Sequence, residues 1–187
     1  MRTLFAVSAT ALALMSAPVA ASQAANVFNN NITEKEVFNA QQGWCSALVS
    51  ISEANMKGGQ AQAKKVAEQV IDSAYAYDNG GVLFKPTLTV APQTFRSTRR
   101  GALAYFVGGD SSFPNDSGFA LGDWTKCDVM TDGVLLMGNT ASSMGQVTVT
   151  NKQGQSTTVD KTWGWMKDSQ GNLRIVLHHS SLEHMAK

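Results

Sequence analysis

The stretch LRIVLHHSSLEH, Leu173–His184, decides how this chain is read. An apolar, β-branched run follows the turn signal Asp168-Ser169-Gln170-Gly171-Asn172 and ends in two histidines and two serines, which reads as a strand leaving a core. Side chains alternate along a strand, so His178 and Ser180 share one face and His179 and Ser181 the other. Val176 is expected on the face of His178, making that face apolar at its start and polar at its end, as a cavity wall would be. Adjacent histidines on opposite faces cannot grip one ion, and His184 falls roughly 20 Å beyond His178. No HExxH, no cysteine pair at zinc spacing and no carboxylate triad accompanies them. The pattern therefore argues against a metal site. It leaves two readings open, a catalytic wall and a last strand whose polar residues are simply solvated.

The segments before it have the same texture. GFALGDWTKCDVM (118–130), VLLMGNTASSMGQVTVTN (134–151) and STTVDKTWGWMKD (156–168) read as strands, with hairpin turns at Lys152-Gln153-Gly154 and Asp168–Asn172. VLFKPTLTV (82–90) reads as a strand that Pro86 confines to an edge or a bulge. Helices come earlier. Thr33-Glu34-Lys35-Glu36 is a capping box, and Val37, Gln41, Trp44, Leu48, Ile51 and Met56 keep helical spacing up to Gly58-Gly59. A second helix from Gln60 presents Val66, Ala67, Val70, Ile71 and Ala74, and a third spans Thr98 to Val107. Helices followed by a run of strands predict an α+β domain, its helices packed on a curved antiparallel sheet around a cavity that holds the functional groups.

Composition narrows the function. The 187 residues carry a formal net charge of +1 with no long basic or acidic run, so neither a nucleic-acid groove nor a polybasic membrane surface is expected. Arg2, the apolar LFAVSATALALM and the small residues Val19-Ala20-Ala21 form a signal-peptide pattern over residues 1–21, leaving one domain over 22–187. The apolar stretch is too short to span a bilayer, and none follows. Export to the periplasm is expected, with extracellular secretion as the alternative. Such compartments tolerate disulfides, yet Cys45 lies inside an apolar helical pattern and reads as a buried thiol, with pairing to Cys127 the less favoured alternative.

The phrases GWCSALVSI, AYAYDNGGVLFKPTLT, QTFRSTRRGALAYFVGGD, DSGFALGDW, TTVDKTWGW and RIVLHHSS resemble the iota-class carbonic anhydrases, in order, from about Glu36 to Leu182. The resemblance implies the cone fold of the calcium/calmodulin-dependent protein kinase II association domain, within the nuclear-transport-factor-2-like superfamily. It implies reversible hydration of carbon dioxide to bicarbonate, with Thr87, Tyr105, His178 and Ser180 as catalytic residues lining the cone. No cofactor is expected: hydroxyls and His178 position the water, although zinc or manganese remains compatible with the family. It also implies a homodimer or larger assembly. The sequence departs from the family's HHSSLP at Glu183, where proline is usual, which leaves the exit of the last strand open. Arg96, Arg99 and Arg100 form a basic cluster expected to be solvated or at a subunit contact, while Trp163 and Trp165 are expected in the core or an interface. Two other readings compete. One is a non-catalytic oligomerisation or small-molecule-binding module on the same fold. The other is a hydrolase of the phosphoribosyl-AMP cyclohydrolase kind, whose Cys-rich zinc site two distant cysteines do not furnish.

Overall fold

The computed structural model describes residues 29–184. The proposed leader, residues 1–21, lies outside them. One long helix, α1 (Glu34–Ala74), is followed by a short strand β1 (Leu83–Lys85), a helix α2 (Arg99–Val107) and a single 3-10 turn (Phe119–Leu121). Four long strands follow: β2 (Trp124–Met137), β3 (Thr140–Asn151), β4 (Ser156–Lys167) and β5 (Leu173–Leu182).

The capping box forms as the sequence requires. Thr33 Oγ1 accepts from Glu36 N–H, and the Glu36 carboxylate accepts from Thr33 N–H at 2.8 Å. The two N-terminal helices expected on either side of Gly58-Gly59 run end to end as α1, kinked where Gly59 adopts φ 70°, a backbone angle that glycine reaches without steric cost. Thr98 caps α2, its hydroxyl accepting from Gly101 N–H.

The strands form one five-stranded sheet in the order β1-β5-β4-β3-β2. β2 to β5 are antiparallel neighbours, as expected, but β1 lies parallel to β5, so the sheet is mixed. The physical reason is topological: β5 returns between β4 and β1, and its other edge is free to take β1 in either direction. Pro86 shortens the expected nine-residue strand to Leu83–Lys85, because a proline cannot donate to the ladder. β2 continues through Thr131-Asp132-Gly133 by means of a bulge where a break was expected. Gly145 sits opposite that bulge, and a Cβ there would lie 2.1 Å from the Met130 carbonyl oxygen.

Helix α1 lays Val37, Trp44, Leu48 and Ile51 against the inner sheet face, where Val147, Val149, Val159, Trp163, Trp165 and Ile175 are buried. Trp163 and Trp165 are therefore core residues, their rings 5.7 Å apart. Cys45 and Cys127 are joined in a disulfide that ties α1 to β2. This corrects the reading of Cys45 as a free buried thiol: its helical face points at the strand that carries Cys127. Within the arginine cluster Arg99 and Arg100 are solvent-exposed, as expected, and Arg96 is not. Arg96 and Asp116 form a buried ion pair at 2.7 Å, while Arg99 pairs with Asp72 and Arg100 with Asp110. A charge buried with its bidentate partner anchors the connection between β1 and α2.

Candidate active site

HHSS lies near the end of β5, with His178 and Ser180 facing inward at 2% and 3% exposure and His179 exposed on the outer face. The alternation read from sequence holds for these residues but not for Val176. β4 and β5 slip by a residue between Gly164 and Trp165, so Ile175 takes the inner position expected for Val176. Below the slip β5 contributes core; above it, chemistry.

Three elements meet at Ser180. β1 is paired to β5, and the chain leaving it brings Thr87 across, so that Thr87 Oγ1 and Ser180 Oγ hydrogen-bond at 2.6 Å. Tyr105 comes from α2. Burial pushes its phenol well above the ordinary value, opposed by hydrogen bonding with Leu88 and Thr87. It stays a neutral O–H through the physiological range. Its ring packs on Phe84, edge-on at 5.7 Å, and is stacked on Phe119 at 5.6 Å. Thr87, Tyr105 and Ser180 thus form one hydroxyl cluster beside an aromatic wall.

His178 joins this cluster only indirectly. It stacks on Phe84 at 4.4 Å and meets Trp44 edge-on at 5.5 Å. Its Nδ1 is 2.8 Å from the Tyr75 hydroxyl and its Nε2 is 2.8 Å from Lys161 Nζ. Trp44 Nε1–H donates to the same Tyr75 oxygen at 2.9 Å. Burial holds the imidazole well below its ordinary pKa, with nearby Lys161 and His179 adding to the effect, so the imidazolium is strongly disfavoured. Both ring nitrogens are engaged by buried partners, which sets His178 apart from a solvated imidazole.

Lys161, Tyr75 and Trp44 were missed from sequence. The available signal was in TTVDKTWGW: Lys161 occupies an inward position between Val159 and Trp163, and a lysine in an apolar alternation asks for a reason. Burial lowers its ammonium from 10.5 to about 7. A second buried polar group, Gln41, donates to Ser143 and accepts from Thr131, and Trp165 Nε1–H also donates to Ser143. That network locks α1 onto β2, β3 and β4 and contains no titratable group. Among the described residues no group of three His, Cys, Asp or Glu side chains is placed to hold a metal ion.

Residues 35–182 match the family model described as metal-independent carbonic anhydrase. The chain belongs to that family. A metal-independent carbonic anhydrase from Nostoc sp. (strain PCC 7120 / SAG 25.82 / UTEX 2576) is 56% identical over 156 residues, which cover 83% of this chain and 76% of the relative. The crystal structure of a cyanobacterial iota-carbonic anhydrase complexed with bicarbonate superposes with a TM-score of 0.85 at 53% identity, covering 88% of this chain and all of that one. A calcium/calmodulin-dependent protein kinase II association domain from Xanthomonas campestris shares the fold, with a TM-score of 0.56 at 21% identity over 90% of this chain and all of that one. The chain is accordingly an iota-class carbonic anhydrase of the metal-independent kind. The readings as a non-catalytic module and as a cyclohydrolase fall away.

Proposed function

We propose that this carbonic anhydrase hydrates carbon dioxide at the hydroxyl cluster of Thr87, Tyr105 and Ser180, with His178 serving the same site. The observation that carries the proposal is the 2.6 Å contact between Thr87 Oγ1 and Ser180 Oγ, with the buried Tyr105 phenol beside Thr87. A hydroxyl both donates and accepts, so three of them can accept from a water, aim its lone pair at a neighbouring carbon, and donate to the oxygens on which negative charge develops. Phe84 and Phe119 offer apolar surface for carbon dioxide next to those donors. The bicarbonate in the cyanobacterial relative is the product this arrangement fits. Ser180→Ala and Thr87→Val are expected to lower kcat/KM for hydration about 10²-fold, the scale of losing one oriented oxyanion donor. Stopped-flow hydration assays check this, and variants with wild-type efficiency would refute the assignment.

We also infer that two copies pair through the outer sheet face. Leu83, Phe95, Met130, Leu135 and Met144 are each more than half exposed there or at its margin. Together with Thr162 and His179 several of them line a shallow apolar groove, the kind of surface a stable monomer seldom leaves open. Export to the periplasm through a leader at residues 1–21 is supported by the Cys45–Cys127 disulfide, which an oxidising compartment maintains. Sequencing the amino terminus of protein recovered from a periplasmic extract tests that reading, and an intact Met1 would overturn it.

A further inference from the structure

The contacts of His178 determine more than its position, because the donors and acceptors around it can be counted. Trp44 Nε1–H can only donate, so the Tyr75 oxygen accepts from it. The other close partner of that oxygen is His178 Nδ1. If the Tyr75 O–H donates to Nδ1, then Nε2 carries the imidazole hydrogen and points it at Lys161 Nζ. An ammonium has no lone pair to receive it; a neutral amine has one. The buried donors of Trp44, Tyr75 and His178 are then all satisfied within the protein. In the opposite arrangement Lys161 is an ammonium donating to Nε2, and Nδ1–H donates to Tyr75. The tyrosine hydrogen is then turned out of the chain and must find a partner elsewhere. The two arrangements differ by one proton on Lys161 and by the direction of the Tyr75–His178 and His178–Lys161 links.

We propose that Tyr75, His178 and Lys161 form a proton wire whose buried amine stores the proton released when water adds to carbon dioxide. The inference rests on His178 serving the hydration site. As the water oxygen bonds to the carbon of carbon dioxide, its O–H bond breaks and the proton passes to the Tyr75 oxygen. The Tyr75 hydrogen moves to His178 Nδ1, the Nε2 hydrogen moves to Lys161 Nζ, and bicarbonate remains. The wire then reverses and returns the proton to buffer, so carbon dioxide and water become bicarbonate and a proton with nothing else consumed.

The surroundings suit storage. Lys161 is 4% exposed, and its ammonium position lies 4.5 Å over the Trp44 ring and 5.6 Å from that of Trp163. From β5 the titratable group facing it is His178, with Ser180 as its cross-strand neighbour. From α1 and the segment after it come Trp44 and Tyr75, neither of them charged. β3 places Gly145 opposite. Among the described residues no carboxylate lies within ion-pair distance, so nothing pins the charged form, while the two indole faces make it tolerable. Trp163 Nε1–H, also buried, has no partner among the described residues. The imidazole itself is sandwiched between aromatic rings with both nitrogens engaged, so it can pass a proton without turning.

The test uses the full chain. In stopped-flow hydration between pH 6 and 9, wild-type kcat is expected to rise with pH to a plateau as Lys161 becomes neutral. Lys161→Met and Tyr75→Phe should each lower kcat at least tenfold and abolish that inflection, with KM changed little. A folded Lys161→Met protein that keeps the wild-type kcat and inflection would overturn the wire. A wild-type protein with no hydration activity would instead refute the assignment of the activity itself. Should the variants fail to fold, NMR of 13C-lysine-labelled wild type decides directly. A Lys161 Cε resonance that titrates to the amine form well below pH 9 supports the proposal, and one that stays ammonium through pH 9 refutes it.

Discussion

Replacing Cys45 and Cys127 together by alanine tests how this fold is held. The two cysteines are 82 residues apart in sequence and join the helix that carries Trp44 to β2. Closing a loop of that size restricts the unfolded chain by about 4.5 kcal/mol at 25 °C on chain-entropy arithmetic. Typical domains have only about 5–15 kcal/mol of stability, so the loss is a large fraction of the whole. With a urea dependence near 2 kcal/mol/M, the unfolding midpoint should fall by about 2 M, read by tryptophan fluorescence. Reducing the wild type should reproduce that shift, because the restraint and not the sulfur atoms is responsible. In native buffer both proteins should still hydrate carbon dioxide, since neither cysteine touches the hydroxyl cluster. A midpoint change below about 0.3 M, or a reduced wild type that unfolds at the oxidised midpoint, would refute the reasoning.

The remaining expectations follow from the two sheet faces. The His179 side chain is exposed on the outer face, so His179→Ala should leave kcat near wild type and weaken association more than folding. Met144→Glu places a charge in the apolar outer groove and should abolish the proposed dimer, read as a monomer mass by light scattering at a concentration where the wild type is dimeric; an unchanged mass would refute that interface. Lys161→Met should change the pH dependence of stability in a definite direction. The folded pKa of about 7 lies below the ordinary 10.5, so between those values the unfolded chain binds the extra proton and stability rises with pH. Relative to the variant, the wild type should gain roughly 4 kcal/mol between pH 7 and 10, measured by denaturant titration; parallel curves would show that Lys161 is not held neutral.

Much of this architecture was legible because local chemistry and tertiary packing agree. Thr33 and Glu36 make a cap with no help from elsewhere, and the turn residues at 152–154 and 168–172 fix their hairpins. The alternation of His178 and Ser180 is a backbone property that any strand imposes. What escaped depends on contacts distant in sequence. The parallel pairing of β1 is decided by β5, roughly ninety positions later, and the slip beside Trp165 displaces Val176 through the neighbouring strand. The disulfide depends on which way the α1 face points. Lys161 was passed over because the features that single it out, two indole rings and an imidazole, arrive from three different elements.

The placement of β5 has a consequence for biosynthesis. This strand, the last among the described residues, is not an edge: it sits between β4 and β1, pairs with both, and supplies Ser180 and His178. A ribosome that has released everything up to β4 has produced a hairpin sheet, two helices and a Thr87 with nothing to meet. Ser180, His178 and the seat for β1 are all encoded in β5, so a nascent chain that stops before it lacks the Thr87–Ser180 contact. Sequence-distant pairing of this kind also slows folding, because the loop must close before any contact compensates for it. A nonsense codon ahead of His178 is therefore expected to silence hydration as completely as one at the start.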